Sequence, residues 1–264
     1  LPLFVPIAFY AQNKDLDSLK KTKNIEEVVI SGTMKAVNRL ESTVPVEDYS
    51  ESFLKKNPTP NLFEALQNIN GVRPKLNCSV CNTGDIRING LDGPNTMVLI
   101  DGMPIVSSLG TVYGFSGIPS SLIERVEVVK GPASSLYGSE ALAGVINIVT
   151  KRAHNAPKLA VDLNTTTWKE HMADVGFKFN IGDKVDVLTG INYFNFQNKK
   201  DENNDNFLDM TLQDRISVFQ KWNVQRKDNR VFTLAGRYMY EDRLGGELDW
   251  TKASRGKDYK YAES

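Results

Sequence analysis

From residue 158 onward the chain alternates apolar and polar side chains with a period of two. In MADVGFKFNI, Val175, Phe177, Phe179 and Ile181 oppose Asp174, Gly176, Lys178 and Asn180. In LQDRISVFQKWNV, Leu212, Ile216, Val218, Trp222 and Val224 share one parity, and Arg215, Ser217, Lys221 and Asn223 the other. In VFTLAGRYMY, Phe232, Leu234, Tyr238 and Tyr240 oppose Thr233, Arg237 and Glu241. This periodicity predicts strands near 158–168, 172–181, 184–197, 211–225 and 230–243, most of them longer than the ~5–6 residues usual in globular sheets. Upstream the pattern is shorter and broken by glycine. IRINGLDG from Ile86 is a strand and turn; MVLIDGMPI is strand, Asp-Gly turn, strand; IERVEVVKG and VINIVTK flank a glycine-punctuated loop. PNLFEALQNI (60–69) predicts a helix: Pro60 suits its first turn, Leu62, Leu66 and Ile69 share a face, and Gly71 stops it. IEEVVISGT (25–33) is a short strand behind a polar leader, 12–24.

Two architectures follow. Residues 25–152 form a compact α+β unit with short strands. The long strands after Pro157 have one apolar and one polar face, which suits a barrel with lipid outside and water inside. Short connections at 181–184 and 226–229 alternate with long ones at 198–210 and from 244, as in transmembrane barrels; the short link at 169–171 departs from that rule. A soluble β-sandwich or lipocalin-like barrel also alternates, but seldom keeps strands this long.

Composition narrows the field. With 32 basic and 32 acidic residues among 264, the net charge is zero, which gives no case for a nucleic-acid footprint. No apolar run reaches the ~18–20 residues of a membrane-crossing helix. LPLFVPIAFYAQ resembles the end of a secretory signal peptide cut after Ala11, so 1–11 is read as its remnant and the mature chain as exported. His154 and His171 form no catalytic set. No Ser/His/Asp arrangement, phosphate loop or paired carboxylates ask for an enzyme.

LFEALQNINGVRP, IRINGLDGPNTMVLIDGMPI and IERVEVVKGPASSLYGSEALAGVINIVTK, in that order, resemble the plug domain of TonB-dependent outer-membrane receptors. The resemblance covers roughly 25–152. It implies an α+β plug domain (34–152) followed by the start of a large antiparallel transmembrane β-barrel (153–264), about 22 strands when complete. The strands after Pro157 are too few to close such a barrel, so the chain is expected to be the N-terminal piece of a longer receptor. A plug that fills a lumen needs tight turns, and Gly131, Gly138 and Gly144 are expected to let backbone pass close to backbone, with Pro132 stiffening the loop and Tyr137 packing on the core. The implied function is TonB-dependent uptake of a scarce nutrient across the outer membrane of a Gram-negative bacterium: an iron–siderophore, haem, cobalamin or metal complex. The implied partners are TonB with its inner-membrane energising complex, the cargo, and lipid. A non-transporting adhesion or sensing receptor on the same barrel is the alternative.

Within that frame, Ile25, Glu26, Glu27, Val28, Val29 and Ile30 resemble the TonB box, an extended segment able to add to a partner's sheet edge. They suit equally a first plug strand with the box just upstream. The leader (12–24 before the box, 12–33 with it) leaves no room for a signalling domain. Cys78 and Cys81 in NCSVCNTG lie among loops the family turns toward cargo; in an exported protein they form a disulfide, a redox pair, or a soft-metal or haem contact, with Met103, His171 and Met172 as further donors. DENNDNFLD places Asp201, Asn203, Asp205 and Asp209 at the spacing of a calcium loop's first part. Asn206 replaces the usual Gly there and Leu212 the bidentate Glu, so a plain solvated acidic loop is the other reading.

Overall fold

The computed structural model describes residues 28–29, 37–38, 41–42, 44–56, 59, 61–78, 83–105, 115, 118–153, 155–228, 230–256 and 261–263. The front unit begins with a two-residue antiparallel ladder, β1 (Val28–Val29) on β2 (Val37–Asn38). Then follow β3 (Val46–Ser50), α1 (Glu51–Leu54), α2 (Leu62–Ala65), β4 (Val72–Cys78) and β5 (Thr83–Ile88). β6 (Thr96–Ile100), β7 (Met103–Pro104), β8 (Ile123–Lys130), α3 (Ser134–Tyr137) and β9 (Gly144–Thr150) complete it. Five strands make one sheet in the order β3-β8-β9-β6-β7, while β4 and β5 form a separate hairpin. Only β6 and β9 among these pairs run parallel.

Both faces of this sheet are covered, which explains why MVLI and VINIVT read as near-continuous apolar runs. Leu62, Leu66, Ile69, Ile86, Val126, Val128, Ile146 and Ile148 pack on one side. Val46, Met97, Leu99, Val129, Val145 and Tyr137 pack on the other. Tyr137 thus joins the core as its loop position implies. The helix predicted over 60–69 is shorter: α2 is four residues long, and Leu66–Asn68 tighten into a 3-10 turn. Asn61 caps it, accepting from the Glu64 amide at 2.9 Å, so the helix starts at Leu62, two residues beyond Pro60. Burial of Leu62, Leu66 and Ile69 on one side survives the shortening, because the turn keeps them over the sheet.

Three glycines expected to permit close backbone passage divide into two kinds. At Gly144 a Cβ would run into the Val129 carbonyl oxygen of the neighbouring strand. Gly131 and Gly138 have open space around them; what they supply is positive φ, +119° and +85°.

The second unit is an antiparallel meander, each strand paired with the next: β10 (Leu159–Thr165), β11 (Glu170–Ile181), β12 (Val185–Phe196), β13 (Leu212–Gln225), β14 (Val231–Gly246) and β15 (Ala262–Glu263). Its burial is inverted relative to a water-soluble sheet. Asp174, Asn192, Gln213, Arg215, Ser217 and Lys221 are buried, whereas Leu234, Tyr238 and Tyr240 are 60%, 65% and 57% exposed. The polar face wraps the front unit and the apolar face looks outward, the arrangement of a lipid-facing barrel wall. Connections 166–169 and 197–211 lie at one end of the wall, and 182–184 and 226–230 at the other. No helix among the described residues is long and apolar enough to cross a membrane.

Candidate functional site

The functional geometry lies where the front unit meets the wall, and three features build it. The first is a peg. The turn Pro119–Leu122 leads into β8 and presses on the wall at Gly176 and Gly190, which are direct cross-strand partners. A Cβ on Gly190 would collide with the Leu122 side chain and lie 2.7 Å from Pro119 Cγ; one on Gly176 would lie 2.6 Å from Ser121 Oγ. The paired glycines therefore form a dent that Leu122 fills, with Ala156, Leu188 and Phe219 completing its surroundings. Polar bonds flank the peg. Ser120 donates to Asp174 Oδ2 through its amide (3.1 Å) and hydroxyl (3.3 Å), and Asn192 Nδ2 donates to Asp174 Oδ1 at 2.5 Å. Lys178 Nζ donates to the Ala153 carbonyl at 2.7 Å.

The second is a latch. Lys221 on β13 donates to Asp101 Oδ2 and to Thr150 Oγ1, each at 2.8 Å. Asp101 and Gly102 form the two-residue turn between β6 and β7, with φ of +50° and +80°, the conformation an Asp-Gly hairpin turn requires. Asp101 also accepts from the Thr150 amide (2.8 Å) and hydroxyl (2.7 Å). A polar chain continues inward: Gly102 N donates to Asn147 Oδ1 (2.9 Å), Asn147 Nδ2 to Glu127 Oε2 (3.1 Å), and Arg125 to Glu127 Oε1 (2.7 Å). Glu127 and Asn147 are fully buried, so this chain satisfies groups that would otherwise be costly.

The third is a cleft of about 230 Å³ between the front unit and the wall, toward the end that carries 197–211. Phe63, Glu64, Glu170, Phe194, Phe196 and Arg215 are among its lining. Arg215 Cζ sits 5.2 Å from the centre of the Phe194 ring. Burial and the nearby Glu170 charge push the Glu64 carboxyl above its ordinary range, against the smaller pull of Asn61 and Arg215.

On the side of the front unit that carries β3, Lys130 Nζ reaches Glu47 Oε2 at 2.6 Å and Tyr49 OH donates to the same oxygen at 2.5 Å. Burial raises the Glu47 carboxyl, but Lys130 and Tyr49 outweigh it and hold it below the ordinary value. Burial, with the Glu47 hydrogen bond and charge, pushes the Tyr49 phenol up to about 12.

The predicted site residues are distributed differently. Val28 and Val29 pair with Asn38 and Val37, so these two are engaged within the chain; Ile25, Glu26, Glu27 and Ile30 lie outside the described residues. Cys78 ends β4 opposite Thr83, and Cys81 lies outside the described residues, as does His154. Met103 is 72% exposed, and His171 Nδ1 is 3.3 Å from Thr165 Oγ1. In the 201–209 loop, Asp201 accepts from the amides of Asp205 (3.2 Å) and Asn206 (2.9 Å), and Asp209 from that of Glu202 (2.7 Å). Asn203 and Asp205 likewise accept loop amides. These bonds tie the loop together through its own acidic and amide side chains. Among the described residues, no group of three or more His, Cys, Asp or Glu is placed to hold a metal ion. The peg and latch carried only faint sequence signals: the glycine on the polar parity of β11, the Asp-Gly turn, and a lysine with inward parity on β13.

Comparison with known proteins accords with this geometry. The family described as TonB-dependent Receptor Plug Domain matches residues 38–145. The chain is 34% identical to a ferric enterobactin receptor of Pseudomonas aeruginosa over 39% of its length and 16% of that protein's. It is 30% identical to a probable TonB-dependent siderophore receptor of Acinetobacter baumannii over 63% of its length and 24% of that protein's. It is 32% identical to the vitamin B12 transporter of Vibrio vulnificus over 43% of its length and 19% of that protein's. The chain thus spans less than a quarter of these relatives. Among solved structures, the pyoverdine outer-membrane receptor of Pseudomonas aeruginosa superposes with a TM-score of 0.62 at 14% identity, covering 83% of this chain and 30% of that one. The siderophore receptor PirA of the same organism gives 0.56 at 21%, covering 76% and 37%. A glycine-turned sheet pegged and latched inside an inverted wall matches the plug and first barrel staves of that architecture, and residues 38–145 carry the TonB-dependent receptor plug domain.

Proposed function

We propose that the protein imports a scarce nutrient through the outer membrane, energised by TonB, with an iron–siderophore or cobalamin complex as cargo. The observation that carries this reading is how the plug is held. It sits against the polar face of the wall through a glycine-seated peg, a buried lysine latch and a few hydrogen bonds. Such contacts are specific enough to close a lumen and weak enough individually to be broken by force and remade. The segment 25–33 is the handle, on which main-chain hydrogen bonds to a sheet edge of the partner would give the grip. Cargo arrives from the side of the 197–211 loop and meets the cleft first. Relatives named for ferric enterobactin and vitamin B12 support the cargo classes.

The test is deletion of 25–33 in the receptor in its native outer membrane. Cargo binding at the cell surface is expected to persist while energy-dependent uptake is lost. Uptake at the undeleted rate would sink the proposal.

A further inference from the structure

The wall carries opposite charge at its two ends. The 197–211 connection sets Lys199 and Lys200 against Asp201, Glu202, Asp205 and Asp209. At the other end, 182–184 is balanced, with Asp183 beside Lys184, but the hairpin 226–230 between β13 and β14 holds Arg226, Lys227 and Arg230 against Asp228 alone. The two arginines stand opposite each other. Arg226 N donates to the Arg230 carbonyl at 2.7 Å, extending a ladder in which Gln225 pairs with Val231, Val224 with Phe232 and Trp222 with Leu234. Like charges set directly opposite repel unless an anion neutralises them. Asp228 supplies one weak partner: its Oδ2 lies 3.1 Å from Arg230 Nη2, and both side chains are 75% exposed. Arg226 forms no ion pair among the described residues.

The arginine pair ends an apolar row. It continues the parity of Trp222, Val224, Phe232 and Leu234, of which Phe232 and Leu234 are well exposed on the outward face. Four residues of strand, about 13 Å, separate the arginines from the Trp222–Leu234 pair. Concentrated positive charge at the end of an outward apolar row fits one occupant: a lipid whose phosphate headgroup is net negative and whose chains lie along the row. A zwitterionic headgroup would bring a cation of its own to the arginines, and free phosphate has nothing to lay over the apolar row. We propose that the 226–230 hairpin docks an acidic phospholipid of the leaflet farther from the 197–211 loop, with Arg226 and Arg230 on either side of its phosphate. The site stands on the outward face of the wall and goes beyond the import reading.

The experiment uses the full receptor reconstituted in phosphatidylcholine vesicles. These are doped with a small, equal fraction of phosphatidylglycerol or phosphatidylcholine carrying brominated chains, which quench tryptophan on contact. Subtracting the W222F signal isolates Trp222, the tryptophan on the row. Brominated phosphatidylglycerol is expected to associate about fivefold or more tightly than brominated phosphatidylcholine, as about one arginine's worth of surface attraction implies, and the preference should vanish in R226Q/R230Q. R226K/R230K, which keeps both charges, is expected to retain most of it. Brominated phosphatidylcholine should quench Trp222 alike in all three proteins, showing that the hairpin stays seated in the bilayer. Inorganic phosphate at the concentration of the brominated lipid should leave the signal unchanged. Equal association of the two lipids, a preference that survives in R226Q/R230Q or disappears in R226K/R230K, displacement by inorganic phosphate, or no quenching of Trp222 by either lipid would each overturn the proposal.

Discussion

Replacing Gly190 by alanine adds one methyl group at the point where the plug touches the wall. That methyl would overlap the end of the Leu122 side chain and lie 2.7 Å from Pro119 Cγ and 3.1 Å from Leu122 Cγ. Neither side can yield freely. Leu122 is 1% exposed among Ala156, Leu188 and Phe219, and Gly190 is fixed between Gly176 and Phe219 by the ladders on either side. Overpacking of this kind costs about 1–3 kcal/mol. Leu122→Ala empties the dent instead and costs about 2–5 kcal/mol, as buried leucine truncations do. Together the two changes oppose each other: the new methyl occupies part of the space that the lost side chain vacates, leaving the Pro119 contact as the residual clash. The double variant is therefore expected to be less destabilised than the sum of the singles by about 1–2 kcal/mol, within the range of coupled neighbours. Plug unfolding in urea, read by pulse proteolysis of the receptor in detergent, supplies the four stabilities. Additivity to within about 0.5 kcal/mol would show that the wall glycines do not seat the leucine and would refute the peg.

Plug stability is also expected to fall at both ends of the pH scale. The folded Glu47 carboxyl is depressed below 4.5, so its contribution is present above that value and disappears as pH falls through the folded value; Glu47→Gln should flatten the acid limb of a urea-midpoint profile. Tyr49 is raised from 10.0 to about 12, so its contribution is complete below 10 and lost as pH rises toward 12; Tyr49→Phe should remove that alkaline loss. On the wall, Leu234 faces outward on β14, and Leu234→Arg is expected to disfavour insertion into lipid vesicles by about 2–4 kcal/mol at mid-membrane depth. Unchanged folding yield in vesicles would place that face in water.

The wall was the most legible part of the sequence, because period-two alternation over twelve to sixteen residues has one structural meaning. The direction in which its faces point was legible too, once length argued for lipid. Local chemistry was less so. LFEALQNI has helical spacing throughout, yet the chain leaves the helix after Ala65 to feed β4, since packing on the sheet decides the ending and not propensity. The peg was hidden because it joins residues far apart in sequence, Leu122 with Gly176 and Gly190, and a glycine's meaning depends on what approaches it. Arg215 looks like any polar residue on an inward parity; that its guanidinium is buried beside the Phe194 ring appears only in the fold.

The order β3-β8-β9-β6-β7 has a mechanical consequence. Of these five strands the first in the chain, β3, is a border strand bonded to β8 alone, whereas β9, the last made, is the spine with a neighbour on each flank. Tension entering from the front therefore meets a five-residue ladder at the margin before it reaches the spine. The spine is itself moored to the wall through Thr150 and Lys221, so traction can strip the margin while the anchored centre remains a template for its return.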